Sequence, residues 1–368
     1  MDQEPPIISV IIPNYNRGDL LASTLDSLRL QDFGDWEAIV VDDGSTDNSR
    51  DIVNEWMLKD PRIRFAARDR EPAGAPVCRN TGLHHAKGGF VIFLDSDDLL
   101  SPKALSQRIS VIREHPDLDF WVFPMLMFRD DPHKAATLWN IDQGDSDLHR
   151  FLILDAPWQT TGPIWRKEAV QRIGGFTEGL ACWQDVDFHL KALIAGLKGQ
   201  KFYDLPPDAF YRQHETQSIS QGEISSPAKL KSRLDIFTRH ATSLLRKKNP
   251  PNMASAGRFN NDKVSGNSVL GVVIPSLKEI RADLRLLGGN IAIGAAQALN
   301  TRICLLAVGF GLRNRIFSWG VALQLLTILF FYHLRLNRIS FFEKRLSRIT
   351  QKYRQDSGIG KHPYYQKP

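Results

Sequence analysis

The sequence predicts an α/β protein: a mostly parallel sheet flanked by helices, followed by a basic, largely helical C-terminal extension. Three observations carry this. In the first hundred residues, apolar runs of strand length alternate with segments of helical periodicity, the order that builds parallel strands with helices on both faces. Three of these runs end in polar or acidic segments, Asn14-Tyr15-Asn16, Asp42-Asp43 and Asp95-Ser96-Asp97-Asp98. Beyond residue 235, acidic residues become scarce while Lys and Arg persist. Open α/β sheets bind ligands beyond the carboxyl ends of their strands, so the predicted topology gathers the three polar segments into one cleft.

The elements follow in order. Residues 7–12 form a buried strand stopped by Pro13. Over 18–30, Leu20, Leu21, Thr24, Leu25 and Leu28 share one helical face. Residues 37–41 form the next strand, and Ser45 or Thr46 caps a helix running to about Trp56. A short strand over 62–65, a helix over 75–86 and a strand ending at Asp95 complete a βαβαβ order, and a further helix starts near Ser101-Pro102. The periodicity then loosens. A strand over 120–128 precedes an acidic loop region over 130–160 with a short helix near 148–154. Helices over 167–172, 183–195 and 228–247 enclose short strands over 201–203 and 209–211. Asn249-Pro250-Pro251 reads as a boundary. The division expected is an α/β domain over 1–235, which carries the polar strand ends, and a basic helical region over 236–368.

Composition narrows the function. The chain has 368 residues, 42% hydrophobic and 24% charged, as in folded proteins. Cys78, Cys182 and Cys304 lie far apart without a CxxC spacing, which argues against a disulfide scaffold or a structural zinc site. Met1-Asp2-Gln3-Glu4-Pro5-Pro6 is acidic and proline-bearing, unlike a secretory signal. The overall charge of +6 hides a split: residues 1–235 carry 26 Lys+Arg against 36 Asp+Glu, a net of −10, and residues 236–368 carry 21 against 5, a net of +16. A polyanionic partner is expected for the second part. Nucleic acid is not expected, because no helix-turn-helix, zinc or RNA-recognition signature accompanies the charge.

The Asp95-Ser96-Asp97-Asp98 cluster offers hard oxygen ligands at a strand end, suited to Mg²⁺ or Mn²⁺ and through it to a substrate phosphate. The alternative is an acidic turn that caps the following helix. The surrounding segments decide between them. Ser9-Val10-Ile11-Ile12-Pro13-Asn14-Tyr15-Asn16, Val41-Asp42-Asp43-Gly44-Ser45-Thr46-Asp47, Arg79-Asn80-Thr81-Gly82, Leu94-Asp95-Ser96-Asp97-Asp98, Gly175-Phe176 and Trp183-Gln184-Asp185 together resemble the family 2 glycosyltransferases of the GT-A (Rossmann-like) fold, over about residues 5–220. The resemblance implies an inverting enzyme that takes a nucleotide-sugar donor, most often a UDP-sugar. It implies that Pro13 and Tyr15 line the base pocket, that Asp43 accepts a hydrogen bond from the base and that Arg79 sits beside the nucleotide. Asp95 and Asp97 match the metal and ribose motif, with Asp97 the direct ligand of Mn²⁺ or Mg²⁺, and His214 is a further candidate at the metal or diphosphate. Asp185 falls where the family places its general base. The usual Glu-Asp pair reads Gln184-Asp185 here, and Asp187 is a weaker candidate. Asp185 as a solvated carboxylate pairing with Lys191 is the competing reading. Trp158 and Trp183 are expected either as platforms for acceptor sugars or as core residues. A glycan- or nucleotide-binding protein without turnover is the alternative from another class, favoured only by Gln184.

The tail carries two strongly apolar stretches, 291–309 and 316–334. The second is free of Asp, Glu, Lys and Arg for 19 residues, close to the minimum for a membrane span. Arg335, Arg338, Lys344, Arg345 and Arg348 follow it and would hold the C-terminus cytoplasmic, the side where a nucleotide-sugar enzyme must also work. One crossing cannot satisfy both, and a two-span hairpin would place Arg302 in the bilayer. In-plane helices on an anionic membrane face, or helices packed on the catalytic domain, remain. The expected location is cytoplasmic and peripheral at the inner face of the membrane, with a glycan or lipid-linked acceptor. A processive polysaccharide synthase is disfavoured, since there is no Gln-x-x-Arg-Trp segment and no multi-span array.

Overall fold

The computed structural model describes residues 6–139, 142, 144, 146–213, 226–246, 277–297 and 300–333. The described elements, in order, are β1 (Ile8–Asn14), α1 (Gly18–Arg29), β2 (Trp36–Asp42), α2 (Ser49–Lys59), β3 (Ile63–Ala67), α3 (Ala75–His85), β4 (Phe90–Phe93), β5 (Leu99–Leu100), α4 (Ala104–Glu114), β6 (Phe120–Val122), β7 (Met125–Phe128), β8 (Thr137–Leu138), α5 (Asp147–Leu152), β9 (Pro163–Arg166), α6 (Lys167–Arg172), α7 (Gln184–Ala195), β10 (Gly199–Lys201), β11 (Ala209–Arg212), α8 (Pro227–Arg246), α9 (Leu277–Gln297), α10 (Thr301–Arg313) and α11 (Trp319–His333).

The main sheet has the order β10-β6-β9-β4-β1-β2-β3. All its pairings are parallel except those of β9, which runs antiparallel between β4 and β6. The predicted GT-A-like α/β fold is the observed one. Strand alternation sorts the core into two layers. Val10, Ile12, Ala38, Val40 and Ile92 pack with Leu21, Leu25, Val53 and Ile109 of α1, α2 and α4. Ile11, Ile39, Val41, Val91 and Phe93 face the other way, toward Cys78, Phe151 and Phe188 of α3, α5 and α7.

Several sequence expectations needed correction. Pro13 does not stop β1. The strand continues to Asn14, because β4 pairing ends at Ile11↔Phe93 and Pro13 has a strand neighbour on one side only. Neither Ser45 nor Thr46 caps α2, which starts at Ser49. The Ser45 hydroxyl donates to Asp42 instead and accepts from the Asn16 backbone N–H. The single strand expected over 120–128 is two. Pro124 breaks it, so that β6 joins the main sheet and β7 a second one, ordered β5-β11-β7-β8. The helix expected from Ser101-Pro102 begins at Ala104.

The C-terminal helices are layered on the second face of the sheet. Position 235 lies inside α8, which packs on α7 without interruption, so no break separates the two expected regions at that point. Asn249-Pro250-Pro251 lies outside the described residues. α9 lies against α5 and α8, and α10 and α11 lie against α9. α9 contributes Ile280, Leu284, Leu287 and Ile291 to the same core as the sheet. At about 1.5–3 kcal/mol for each buried Leu or Ile, its docking is comparable to the stability of a whole domain. Gly288 allows the approach: a Cβ there would meet the Phe237 ring at 2.6 Å. The apolar stretch 291–309 is not one segment. It is divided between α9 and α10, with Asn300 capping α10 by accepting from Ile303 N–H at 3.2 Å. No described helix is long and apolar enough to cross a membrane.

Because α9 shares the core of the sheet, Leu287→Ala is expected to lower stability by about 3 kcal/mol, the scale of a buried Leu truncation. Urea unfolding followed by both far-ultraviolet dichroism and tryptophan fluorescence should stay a single transition. Separation of the two probes would mean that the helical layer folds on its own.

Candidate active site

The Asp95–Asp98 turn is built by its neighbours. It closes through Asp98 N–H donating to Asp95 O at 3.0 Å. Thr24 of α1 donates its hydroxyl to Ser96 O and Asp98 O, at 3.0 and 2.9 Å, fixing the turn from below. Asp98 is buried and faces inward, accepting from Thr161 Oγ1 at 2.9 Å and from the Arg212 backbone N–H at 3.1 Å. Burial, then the charges of Asp97 and Asp95, push its carboxyl well above the usual range. Asp98 is therefore a structural joint that brings the end of β11 to the turn. Arg212 completes the joint, with Nε donating to Asp97 O at 3.0 Å. His214 follows two residues later and lies outside the described residues.

Asp95 and Asp97 face the cleft. Arg79 donates to Asp95 at 2.6 Å. Burial raises the Asp95 carboxyl above its usual value and Arg79 opposes this, but the charges of Asp97 and Asp185 add to the rise. Arg17, at the start of α1, stands 3.8 Å from Asp97, a loose ion pair. Burial and then the charges of Asp98, Asp97, Asp95 and Asp185 push the Tyr211 phenol up to about 12. Among the described residues, no group of three or more His, Cys, Asp or Glu is placed to hold a metal ion by itself. The donor set suits a cation that keeps ligand sites for phosphate oxygens, as Mg²⁺ and Mn²⁺ do, since it offers one or two carboxylates beside an excess of negative charge.

At the neighbouring strand ends, Pro13 is buried and Tyr15 is largely exposed. Asp43 lies 2.6 Å from Arg68, yet Asp43 Oδ1 and Arg68 Nε are buried without an aligned hydrogen bond. The ion pair ties the residue after β2 to the residue after β3. Arg68 escaped the sequence reading. Its signal was its place, one residue past β3, a fourth strand end in the same row.

Asp185 sits in the first turn of α7, half-buried, and makes no hydrogen bond or ion pair among the described residues. Lys191, its expected partner, donates to Gly175 O instead. Gln184 Oε1 accepts from Arg79 at 3.4 Å, so the amide keeps a contact with the arginine that a glutamate would also make. Asp187 is fully buried and belongs to the frame: Arg239 donates to it at 2.6 Å and His240 Nε2 lies at 2.8 Å. Burial would raise its carboxyl, but His240 and Arg239 outweigh that and hold it below the ordinary value of 3.8. Trp158 is a core residue, 2% exposed. Trp183 adopts a left-handed backbone, φ 56°, and lies beneath the Arg233 guanidinium at 4.6 Å.

With this geometry in place, likeness to known proteins is specific. Residues 9–167 match the family model Glycosyl transferase family 2, so this segment belongs to that family. A Campylobacter jejuni protein named GalNAc(5)-diNAcBac-PP-undecaprenol beta-1,3-glucosyltransferase is 42% identical over 109 residues, 30% of this chain and 35% of that one. Glycosyltransferase GlyG of Streptococcus pneumoniae is 34% identical over 146 residues, 40% of this chain and 44% of that one. This chain thus spans less than half the length of either of these curated relatives. In structure, S. aureus TarS 1-349, solved in complex with UDP-GlcNAc, superposes with a TM-score of 0.56 at 20% identity, covering 84% of this chain and 89% of that one, which is agreement in fold.

Asp187→Asn is expected to destabilise the protein by about 3 kcal/mol, the lower end for breaking a buried ion pair. A carboxylate whose folded pKa is lowered stabilises above its unfolded value and loses that contribution as pH falls through the folded value. The gap between wild type and variant in thermal unfolding should therefore be full at pH 6 and shrink below about pH 4. A gap constant down to pH 2 would mean that Asp187 is not held as the anion.

Proposed function

We propose that the chain is an inverting, metal-assisted glycosyltransferase that moves one sugar from a UDP-sugar to a glycan or lipid-linked acceptor at an anionic, cytoplasmic membrane face. The observation that carries the reading is the pairing of an uncommitted carboxylate, Asp185, with the Asp95–Asp97 cluster across one cleft. Asp43, held by Arg68, would accept a hydrogen bond from the base, which suits the N3–H of uracil. Asp97, with Asp95 beside it, would hold Mn²⁺ or Mg²⁺, and the bound cation supplies charge neutralisation of the diphosphate leaving group.

The remaining chemistry falls to the chain's own groups. Asp185 takes the proton of the acceptor hydroxyl as its oxygen attacks the anomeric carbon. The new C–O bond forms as the bond to the diphosphate breaks on the opposite face, so the anomeric centre inverts. Arg79 keeps Asp95 oriented through the reaction. The alternative of a binding protein without turnover rested on Gln184, and the retained Gln184–Arg79 contact weakens that ground.

Two variants test the roles. Asp97→Asn should abolish the Mn²⁺ dependence of UDP binding in calorimetry while leaving the unfolding temperature nearly unchanged. Metal dependence equal to that of wild type would remove Asp97 as the cation ligand. Asp185→Asn should keep UDP affinity and lower turnover by roughly 10²-fold or more, the scale of general-base catalysis. Wild-type turnover in this variant would exclude Asp185 as the base.

A further inference from the structure

The outer surface of the helical layer is apolar where solvent would be expected. Leu305 and Leu306 of α10 and Trp319, Leu323 and Phe330 of α11 point outward, with exposures from 49% at Leu305 to 81% at Trp319. The inward side chains of the same helices, Ile303, Cys304, Ala307 and Val308 on α10 and Val321, Ala322, Leu325 and Ile328 on α11, belong to the core. The two helices therefore carry apolar residues on both sides. On α11 the outward residues recur at helical spacing along one stripe. Scattered exposed leucines need no explanation, but an aligned set spanning two packed helices marks an interaction surface.

Charge selects the occupant. Arg302, Arg313 and Arg315 are exposed around this face. From residue 284 to 342 the sequence has no Asp or Glu at all. A second copy seated on the same face would oppose arginine to arginine with no acid on the stretch to answer them. Anionic headgroups answer them directly, while the acyl boundary takes the Trp, Leu and Phe side chains. An exposed Trp beside arginines is the composition of a membrane–water interface.

We propose that the α10–α11 face is the membrane-contact surface, with Trp319, Leu323, Phe330, Leu305 and Leu306 entering the lipid interface and Arg302, Arg313 and Arg315 binding anionic headgroups. This localises to one face the membrane attachment included in the proposed function, and its test needs no sugar transfer. Ile280, Leu284 and Leu287 of α9 are excluded from lipid contact, because they are buried in the protein core.

The experiment is flotation of the full chain with phosphatidylcholine vesicles and with vesicles of equal phosphatidylglycerol and phosphatidylcholine. It is run at about 0.1 M and about 1 M salt, between which the screening length falls from about 10 Å to about 3 Å. Wild type should float with the anionic vesicles and keep part of its binding at high salt. The triple variant Trp319→Ser, Leu323→Ser, Phe330→Ser should lose the salt-resistant part, whereas Trp319→Phe should keep it. The triple variant Arg302→Gln, Arg313→Gln, Arg315→Gln should bind anionic vesicles at least roughly tenfold more weakly at low salt, since each engaged arginine contributes on the order of fivefold. Both triple variants change exposed positions and should elute from gel filtration as wild type and bind UDP with wild-type affinity, which separates loss of the surface from loss of the donor site. Flotation of the serine variant equal to wild type would overturn the proposal. So would a wild-type dimer that the serine variant converts to monomer without any lipid binding by either.

Discussion

The Arg79 guanidinium is the interaction on which the site depends. It is nearly buried, bonded to Asp95 on one side and Gln184 on another, and it lies 5.0 Å from the centre of the Phe176 ring. Those three partners come from three separated segments, so one cation holds together the turn after β4, the start of α7 and the Gly175-Phe176 turn. Asn80, its sequence neighbour, secures the same turn from the backbone: its amide donates to Phe176 O and its oxygen accepts from Phe176 N–H, both at 2.9 Å. Gly175, with φ 60°, leaves room for this, since a Cβ there would lie 2.5 Å from Asn80 Oδ1. A buried guanidinium needs carboxylate and carbonyl neighbours to offset its desolvation. Here that requirement draws an acidic cluster to the cleft that would otherwise repel itself.

Much of this arrangement was legible in the residues. Strand identity followed from short apolar runs, and the convergence of Asn14, Asp42-Asp43 and Asp95–Asp98 followed from the parallel order, because that topology brings every strand's carboxyl end to one edge. Breaks inside apolar runs were less legible. The run over 120–128 has a single pattern, but Pro124 lets its halves serve two sheets, a tertiary outcome that periodicity does not encode. Ser45 was misread for the opposite reason. A hydroxyl before a helix is a good cap, yet Asp42 and Asn16 offered it better-placed partners. Helical spacing already made Asp187 the weaker candidate, but its role as a buried strut appears only with the approach of α8, which brings Arg239 and His240 to it.

The C-terminal helices show how composition can suggest more than one physical solution. Their apolar content suited a membrane segment, and their charge suited an anionic surface. In the fold, most of that apolar content is spent inward, where α9 to α11 extend the core begun by the sheet. What remains outside is a narrow face rather than whole helices. Of the two earlier alternatives, packed helices are the observed arrangement, and the outward face is where the proposed membrane contact would lie.

The first turn of α7, which carries Asp185, and the residues before it are held from one side by α8. Ala181 N–H is held by Ser232, the Cys182 thiol reaches Lys229 O, Arg233 covers Trp183, and Arg239 and His240 grip Asp187, all from α8. The helix lies beyond the segment that matches the family. On the proposed roles, divergence in α8 would shift Asp185 by small displacements while leaving the Asp95–Asp98 turn in place. If the proposed transfer holds, new acceptor preferences could accumulate through a helix that only supports the proposed base, a route by which one scaffold diversifies its products.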